Sequence, residues 1–171
     1  MLELMRKNDF DKLYNLIENS FPRDEYRTYD GQKSLFEKDE YRVFARYDGA
    51  DLTAFIALWD FDGFAYIEHF AVDEKYRNGG LGAKILAEII QKFDKPVCLE
   101  VEPPQDDMSR RRINFYRRNG FFLNEYNYVQ PALAEGKNEI PLLVMTSGGK
   151  VNFDEFDKIR EVLYKKVYGK K

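Results

Sequence analysis

The first part of the chain changes from a helical spacing of hydrophobic residues to an alternation of period two. From Asp9 to Asn19, aliphatic and aromatic residues recur every three or four positions, which predicts an amphipathic helix with Asp9 as its N-cap. The same spacing between Asp30 and Lys38 predicts a second helix. The segment at residues 21–31, between the two predicted helices, contains Pro22 and Gly31, so we expect it to form a loop.

Three strands are predicted in the next part of the chain. An alternating segment runs from Tyr41 to Tyr47, and two apolar segments follow, Leu52 to Trp59 and Ala65 to Val72. Asp-Gly dipeptides at positions 48–49 and 62–63 separate these segments, and this dipeptide is typical of tight hairpin turns. The pattern therefore predicts an antiparallel meander.

Helices and strands alternate in the second half of the chain. A glycine-rich turn leads into a helix from Leu81 to Phe93, and a short apolar strand follows from Val97 to Val101. We expect a further helix near Ser109 to Asn119, with its first serine as N-cap and Gly120 directly after its end. The next apolar positions indicate a strand around Leu142 to Met145.

The C-terminal residues from Phe153 to Val167 predict a last amphipathic helix. Its apolar side consists of Phe156, Ile159, Val162, Leu163 and Val167. Two glycines after Ser147 precede this helix, so we expect a main domain over residues 1–147 and a helical extension over residues 148–171 that packs on it as an appendage or serves as a dimer contact. Together the elements predict an α/β fold with a mixed, mostly antiparallel twisted sheet, helices on both faces and a C-terminal helix.

Length, composition and charge limit the classes of function. The chain has 171 residues, of which 44% are hydrophobic, and this is enough for one core. A net charge of −3 offers no basic surface, so we expect neither nucleic acid nor membrane as a partner. Cys98 is the only cysteine, which excludes an intrachain disulfide, and we expect no metal site. The charged N-terminus resembles no leader peptide and no apolar run is long enough to span a membrane, so we expect a cytoplasmic protein.

The glycine-rich turn between residues 77 and 82 has the composition of an anion-binding loop. It joins a strand to a helix, whose first turn offers unpaired backbone N–H groups and the positive end of the helix dipole. A Walker loop needs Gly-Lys followed by Ser or Thr, but Lys84 follows Ala83 and precedes Ile85. A dinucleotide fingerprint needs a third glycine where Ile85 stands. Both of these phosphate-binding classes are therefore excluded, and a helix start that merely needs tight backbone remains the structural alternative.

The remaining pattern resembles the signature of the GNAT superfamily, Arg/Gln-x-x-Gly-x-Gly/Ala, which here begins at Arg77. The strand residues from Phe70 to Val72 are similar to the family's approach to this loop. A second block, LEV at residues 99–101 and NFYRRNGF at residues 114–121, is similar to the family's second motif. The resemblance extends over residues 41–124 and implies a GNAT-type fold.

The same resemblance implies an N-acetyltransferase with acetyl-CoA as co-substrate and an amine as acceptor. In the family this loop holds the pyrophosphate of coenzyme A. The residues of this chain that the resemblance assigns to coenzyme binding are Phe70, Ala71, Val72, Arg77, Asn78, Gly79, Gly80, Leu81, Gly82, Ala83 and Asn114.

Acetyl transfer also needs a base, an acid and a donor to the oxyanion. Glu100, in the strand VCLEV, is at a position similar to the glutamate that some family members use as base, and Glu68 is the rival candidate. Either one can instead be a solvated or ion-paired strand carboxylate. Tyr116 matches the tyrosine that protonates the departing thiolate in many members, and the alternative is an aromatic residue packed under its helix. The family's oxyanion donor is a backbone amide, which corresponds here to Val72. His69 is expected to be a non-catalytic residue of the core or surface.

The acceptor is left open by the sequence. The variable segments contain many acidic and aromatic residues, which suits a cationic amine, although acidic loops are common in any chain with a pI of 5.4. A polyamine, an aminoglycoside-like amine, an amino acid and a protein N-terminus all remain candidates. Two other classes of function also stay open, a non-catalytic module that binds acyl-CoA and an interaction protein that uses its C-terminal helix.

Overall fold

The computed structural model describes residues 1–170, which form two compact units that meet in sequence at Val97 and Cys98. The first unit runs from Met1 to Val97, and the second comprises the described residues from Cys98 onward. The predicted division into residues 1–147 and 148–171 stays a prediction.

The first unit is an antiparallel meander with three helices. Its four strands pair antiparallel in the order β1-β2-β3-β4, and the two hairpins lie where the Asp-Gly dipeptides predict them. The elements are β1 Glu3–Leu4, α1 Phe10–Ser20, α2 Tyr29–Ser34, β2 Tyr41–Asp48, β3 Asp51–Asp60, β4 Ala65–Val72 and α3 Leu81–Lys92.

β3 forms the core of the first unit. Every residue from Leu52 to Trp59 is buried, so both faces of this strand are covered. Helix α1 contacts β3 and β4, and helix α3 contacts β4. Buried aliphatic residues on α1 and α3 contribute the helical part of the core, which confirms the periodicity from which both helices are predicted: Leu13, Leu16, Ile17, Ile85, Leu86 and Ile89.

A β-bulge interrupts β4 at Glu68. The register passes from His69 opposite Ala57 to Ile67 opposite Leu58, which leaves Glu68 with no residue directly across on β3. An extra residue on one strand breaks the alternation of faces and re-aims the side chains beside it. The simple alternation that would place Glu68 and His69 on opposite faces of the strand therefore does not hold at this point.

The second unit contains three antiparallel strands in the order β5-β7-β6. Its elements are β5 Val97–Val101, which begins at the unit boundary, α4 Asp107–Arg118, β6 Phe121–Gln130, β7 Ile140–Ser147 and α5 Phe153–Val162. β6 is longer than the apolar run FFL predicts. A register shift between Asn124 and Tyr128 breaks its alternation, so the pattern of a ten-residue strand is not visible in the sequence.

The N-cap position predicted for α1 is confirmed but without a capping hydrogen bond, and the N-cap predicted for α4 is wrong. Asp9 stands at the N-cap position of α1, but its side chain makes no capping hydrogen bond and pairs with Lys12 at 3.1 Å instead. Its backbone continues a preceding 3₁₀ turn, whereas a capping residue normally has extended backbone. In α4 the N-cap is Asp106, which accepts from the Ser109 amide at 2.7 Å, while the Ser109 hydroxyl accepts in return from the Asp106 amide at 3.1 Å. Ser109 is thus the third residue of α4 and closes a capping box with Asp106.

The C-terminal helix continues α5 as a π-helical turn over Leu163–Val167. Phe156, Ile159, Leu163 and Val167 are buried, as their spacing predicts. Val162 is only half-buried, because six residues of helix place it about 120° around the axis from Phe156. Helix α5 contacts β6 within the second unit. None of the helices within residues 1–170 combines the length and the apolar character that a membrane span requires.

Candidate active site

The loop between β4 and α3 has the backbone geometry of an anion-binding site. Asn78 and Gly80 both adopt left-handed conformations, with φ values of 69° and 72°, and α3 begins directly afterwards at Leu81. Within residues 1–170, nothing accepts a hydrogen bond from the backbone amides of Gly80, Leu81 and Gly82, because the first turn of a helix has no internal partners for them. Left-handed backbone and unpaired amides together form a concave cluster of donors.

The glycines of this loop face open space. A Cβ atom added at Gly79 or Gly80 would meet no heavy atom of the described chain within 4 Å. Gly80 is still required by its left-handed backbone, whereas Gly79 has no such backbone requirement. The packing of the protein therefore does not explain the absence of a side chain at Gly79.

Arg77 fastens the loop to the end of β4. Its Nε donates to the carbonyl oxygen of Val72 at 2.9 Å, and its backbone amide donates to Glu74 at 3.3 Å. The side chain of Asp73 accepts from the Lys75 amide at 2.9 Å and caps the short 3₁₀ turn Glu74–Tyr76. These contacts hold the loop close to the last residues of β4.

The hydrogen-bonding phase of β4 decides which of its amides can meet a ligand. Asp73 donates to the carbonyl of Thr53 at 2.8 Å, and opposite pairs of an antiparallel ladder alternate between bonded and non-bonded. Phe70 and Val72 therefore direct their backbone groups away from β3, whereas Ala71 directs its own toward β3. Of these three predicted coenzyme contacts, Ala71 has no backbone donor to offer.

Glu68 is enclosed by hydrogen-bond donors of its own unit. Its Oε1 accepts from Nη1 of Arg27 at 2.5 Å, and its Oε2 accepts from the indole nitrogen of Trp59 at 3.1 Å. The Arg27 and Glu68 side chains are only 9% and 4% exposed. Burial acts to raise the pKa of Glu68, but the guanidinium of Arg27, the neighbouring His69 and the two hydrogen bonds outweigh it, so the pKa lies below its ordinary value. This geometry favours a structural, ion-paired role for Glu68 over the role of a catalytic base.

Glu100 has phenolic partners instead. This half-buried carboxylate accepts from the hydroxyl of Tyr168 at 2.8 Å to each oxygen, and its Oε1 also accepts from Tyr128. Burial, followed by the charge of Glu100, raises the pKa of Tyr128 above its ordinary range. Tyr128 consequently stays protonated at neutral pH and remains a hydrogen-bond donor to the carboxylate.

Tyr116 has the properties of a proton donor. It lies half-buried on α4, with its ring 5.4 Å from that of Phe115 and 5.8 Å from that of Phe121. Burial raises the pKa of Tyr116 to about 12, and the nearby charge of Arg112 opposes this rise. Its hydroxyl forms no hydrogen bond to any residue in the described part of the chain. The phenol is therefore protonated at neutral pH and can donate to a ligand.

The other predicted site residues lie as follows. Asn114 is exposed on α4, and Leu81, Gly82 and Ala83 form the half-buried first turn of α3. His69 is 2% exposed, its Nε2 lies 2.7 Å from the carbonyl oxygen of Glu25, and it stacks edge-on with Phe21, so it is a core histidine. Among residues 1–170 there is no group of three or more potential metal-binding side chains.

Comparison with known proteins decides the family. A family model described as the acetyltransferase (GNAT) family matches residues 9–121, which is more than half of the chain. The chain belongs to the GNAT acetyltransferase family. It therefore carries an acetyltransferase domain, and the predicted fold class is confirmed.

Individual GNAT relatives differ in how much of this chain they share. The structure of a Bacteroides thetaiotaomicron protein, described as a putative acetyltransferase from the GNAT family, is 34% identical with a TM-score of 0.89 and covers 100% of this chain and 99% of that one. A Bacillus subtilis protein named "Putative acetyltransferase YjbC" is 29% identical over 110 residues, or 63% of this chain and 55% of the relative. The chain thus spans about half the length of this curated relative. Arabidopsis thaliana NAA60, solved in complex with acetyl-CoA, is 16% identical with a TM-score of 0.66 over 85% of this chain and 96% of that one, and shares the fold.

Three residues that contact the candidate carboxylates could not be predicted as site residues from the sequence. Arg27 stands among other charged residues in the loop after α1, where nothing signals that it is buried. Tyr128 follows the bulge of β6, and Tyr168 lies beyond the predicted end of the last helix. The spacing of Tyr164 and Tyr168 by four residues is the one available signal, since it places both on one side of a helix.

Proposed function

We propose that this chain transfers the acetyl group of acetyl-CoA to a primary amine by direct attack of the amine on the thioester. The observation that carries the proposal is the loop between β4 and α3, with its unpaired amides and its side chain-free surface at Gly79 and Gly80. These donors would hold the pyrophosphate of the coenzyme, which carries the thioester. The Val72 amide, directed away from β3, would donate to the oxyanion of the tetrahedral intermediate.

The proposed chemistry assigns one proton to each of two side chains. A lysine-like amine has a pKa of about 10.4 and needs a base at neutral pH, and Glu100 would take its proton directly or through water. The amine nitrogen bonds to the acetyl carbon, the carbon–sulfur bond breaks, and Tyr116 would give its proton to the departing thiolate. The nitrogen of the intermediate then gives up its second proton to solvent, the tyrosinate recovers a proton from solvent, and Glu100 releases the proton that it took, so that the products are the amide, free coenzyme A and one net proton.

A cationic acceptor is part of the proposal. Aromatic rings cluster between α1 and the segment that follows it, with centroid distances of 5.2 Å between Tyr14 and Tyr29 and 6.1 Å between Tyr14 and Tyr26. Asp24 and Glu25 lie in the same segment. Aromatic faces and carboxylates both favour a cation, which supports an amine that carries charge in solution.

The first test is calorimetric titration with coenzyme A and acetyl-CoA. We expect micromolar binding by the unmodified protein and its loss in Gly79→Trp, because the indole would occupy the concave face of the loop without straining the backbone. Gly63→Trp is the matched control, since Gly63 also has open space around its Cβ and ordinary backbone but lies in the β3–β4 turn. Failure of the unmodified protein to bind coenzyme at millimolar concentration would contradict the proposal.

A panel of amines then identifies the acceptor class. Release of free thiol from acetyl-CoA would be followed with a polyamine, an aminoglycoside, free amino acids and a peptide with a free N-terminus. Coenzyme binding without thiol release for any of them, or for a wider amine set, would favour the non-catalytic acyl-CoA-binding module.

A further inference from the structure

The surroundings of Glu100 connect the C-terminal segment to the proposed base. Tyr128 on β6 and Tyr168 after the last helix both donate to the carboxylate, and Tyr168 bridges its two oxygens at 2.8 Å each. A carboxylate held at both oxygens by one hydroxyl, and at one of them by a second, has a fixed orientation. We refer to Tyr128 and Tyr168 as the tyrosine clamp.

The end of the C-terminal helix is built to place Tyr168. Over Leu163–Val167 the helix widens to a π turn, and the amide of Tyr168 donates to the carbonyl of Leu163, five residues earlier, at 3.0 Å. Leu163 is fully buried, and the hydroxyl of Tyr164 donates to the carbonyl of Val129 on β6 at 2.6 Å. π turns are rare and concentrate at functional sites because they shift side chains out of the regular helical register. Here the shift accompanies the contact of Tyr168 with Glu100.

Hydrogen bonds from neutral phenols favour the ionised form of a carboxylate. Other groups around Glu100 act on the same equilibrium. Cys98 on the same strand is buried, and burial together with the charge of Glu100 raises the pKa of its thiol, so it stays neutral. Tyr164 lies beside the clamp, with ring centroids 5.8 Å from Tyr128 and 6.4 Å from Tyr168.

We propose that Tyr128 and Tyr168 are positioning residues that hold Glu100 ionised and oriented, which makes the C-terminal helix a component of the catalytic machinery. The proposal rests on the proposed function, in which Glu100 takes the proton of the amine. It assigns a catalytic purpose to a segment that follows the family match, which ends at residue 121.

The test is a pH titration of Glu100 in the full chain by carbon NMR of glutamate labelled at the carboxyl carbon, with Glu100→Gln to assign its signal. In Tyr168→Phe we expect the titration midpoint of Glu100 to rise by roughly one pH unit, which is a tenfold gain in proton affinity. The rise should be larger when Tyr128→Phe is added, since each change removes a hydrogen-bond donor to the carboxylate. Tyr164→Phe is the matched control because its hydroxyl donates to Val129 and not to Glu100. An unchanged midpoint in Tyr168→Phe, or the same shift in Tyr164→Phe, would overturn the proposal.

The amine assay separates this inference from the proposed function. With an acceptor in hand, Tyr168→Phe should move the acidic limb of the kcat/KM profile to higher pH by the same amount as the NMR midpoint, while KM for acetyl-CoA stays unchanged. Full activity of Glu100→Gln would refute Glu100 as the base, which is a failure of the proposed function. If Glu100→Gln loses activity as expected but the pH profile of kcat/KM in Tyr168→Phe equals that of the unmodified protein, the clamp alone is refuted. Tyr168 is half-exposed, so its variant can be tested even where Tyr128→Phe fails to fold.

Discussion

At the scale of single residues, hydrogen-bond partners distinguish two glutamates that look alike in the sequence. Both stand in apolar strands, and both qualify as a base by residue type. Glu68 is paired with a buried guanidinium, which stabilises its charge and makes proton uptake unfavourable. Glu100 is held by neutral phenols, which orient the carboxylate and stabilise its charge less than a guanidinium does, so proton uptake is opposed less strongly. The partner, and not the residue type, therefore ranks the two candidates.

Glu68→Gln should destabilise the first unit. Loss of one partner leaves the guanidinium of Arg27 buried without its counter-charge, which costs about 3–5 kcal/mol in the free energy of unfolding. Glu3→Gln is the control, because the pair of Glu3 with Arg6 is 53% and 61% exposed and contributes at most about 1 kcal/mol. Urea unfolding followed by the fluorescence of Trp59, the only tryptophan, measures both. Equal small losses would refute a stabilising role for the pair.

The same substitution has a defined pH dependence. The pKa of Glu68 is lower in the folded chain than in the unfolded chain, so its contribution is fully present above the unfolded value of about 4.3. As the pH falls below that value and through the lower folded pKa, the unfolded chain takes up the proton first and the contribution is lost. The difference in unfolding free energy between the unmodified protein and Glu68→Gln should therefore be constant from neutral pH to about 5 and shrink in more acidic solution.

Tyr116→Phe should lower kcat by about 10²–10⁴-fold, because the thiolate would leave without its proton donor. Coenzyme affinity should remain unchanged in the calorimeter. Since burial raises the pKa of Tyr116 to about 12, the unmodified enzyme should show no loss of activity from this group below pH 11. Tyr126→Phe, which removes a hydroxyl that donates to the carbonyl of Val151, serves as control. Retention of the normal kcat in Tyr116→Phe would exclude the proposed role.

At the scale of elements, short-range interactions set where each helix starts and how it presents its residues. The capping box of Asp106 and Ser109 fixes the first turn of α4, which carries Tyr116 two turns later. The π turn at the other end of the second unit performs a comparable task for Tyr168. In both cases the side chain of interest depends on a local feature several residues away.

Asp106→Ala should lower the free energy of unfolding, since it removes the acceptor of the Ser109 amide. The neighbouring Asp107→Ala removes the same charge from the same turn but no capping bond, and its pair with Arg110 is exposed, so it should cost much less. Chemical unfolding of both variants provides the comparison. An equal loss in the two would show that charge at the helix start, and not the cap, is what stabilises α4.

At the scale of the whole molecule, the order of elements and the glycine-rich loop could be predicted from the sequence. Within residues 1–170, hydrophobic periodicity predicts the positions of α1 to α5, of β2 to β5 and of β7 within a few residues, because it depends on neighbours a few positions away. It predicts neither the two-residue β1 nor the full length of β6, since neither has a regular pattern. The glycine-rich loop is recognisable in the sequence because glycine and its neighbours specify left-handed backbone locally.

What the sequence by itself determined is the set of local structures and the anion-binding loop, and through its motifs the family. Only the tertiary structure decided which hydrogen-bond partners the candidate carboxylates have. Arg27 reaches Glu68 across 41 positions of sequence, and Tyr168 reaches Glu100 across 68. Such pairs form only when the strands and helices between them have packed, so no local pattern encodes them. The physical reason is that a hydrogen bond acts over about 3 Å in space and is indifferent to separation along the chain.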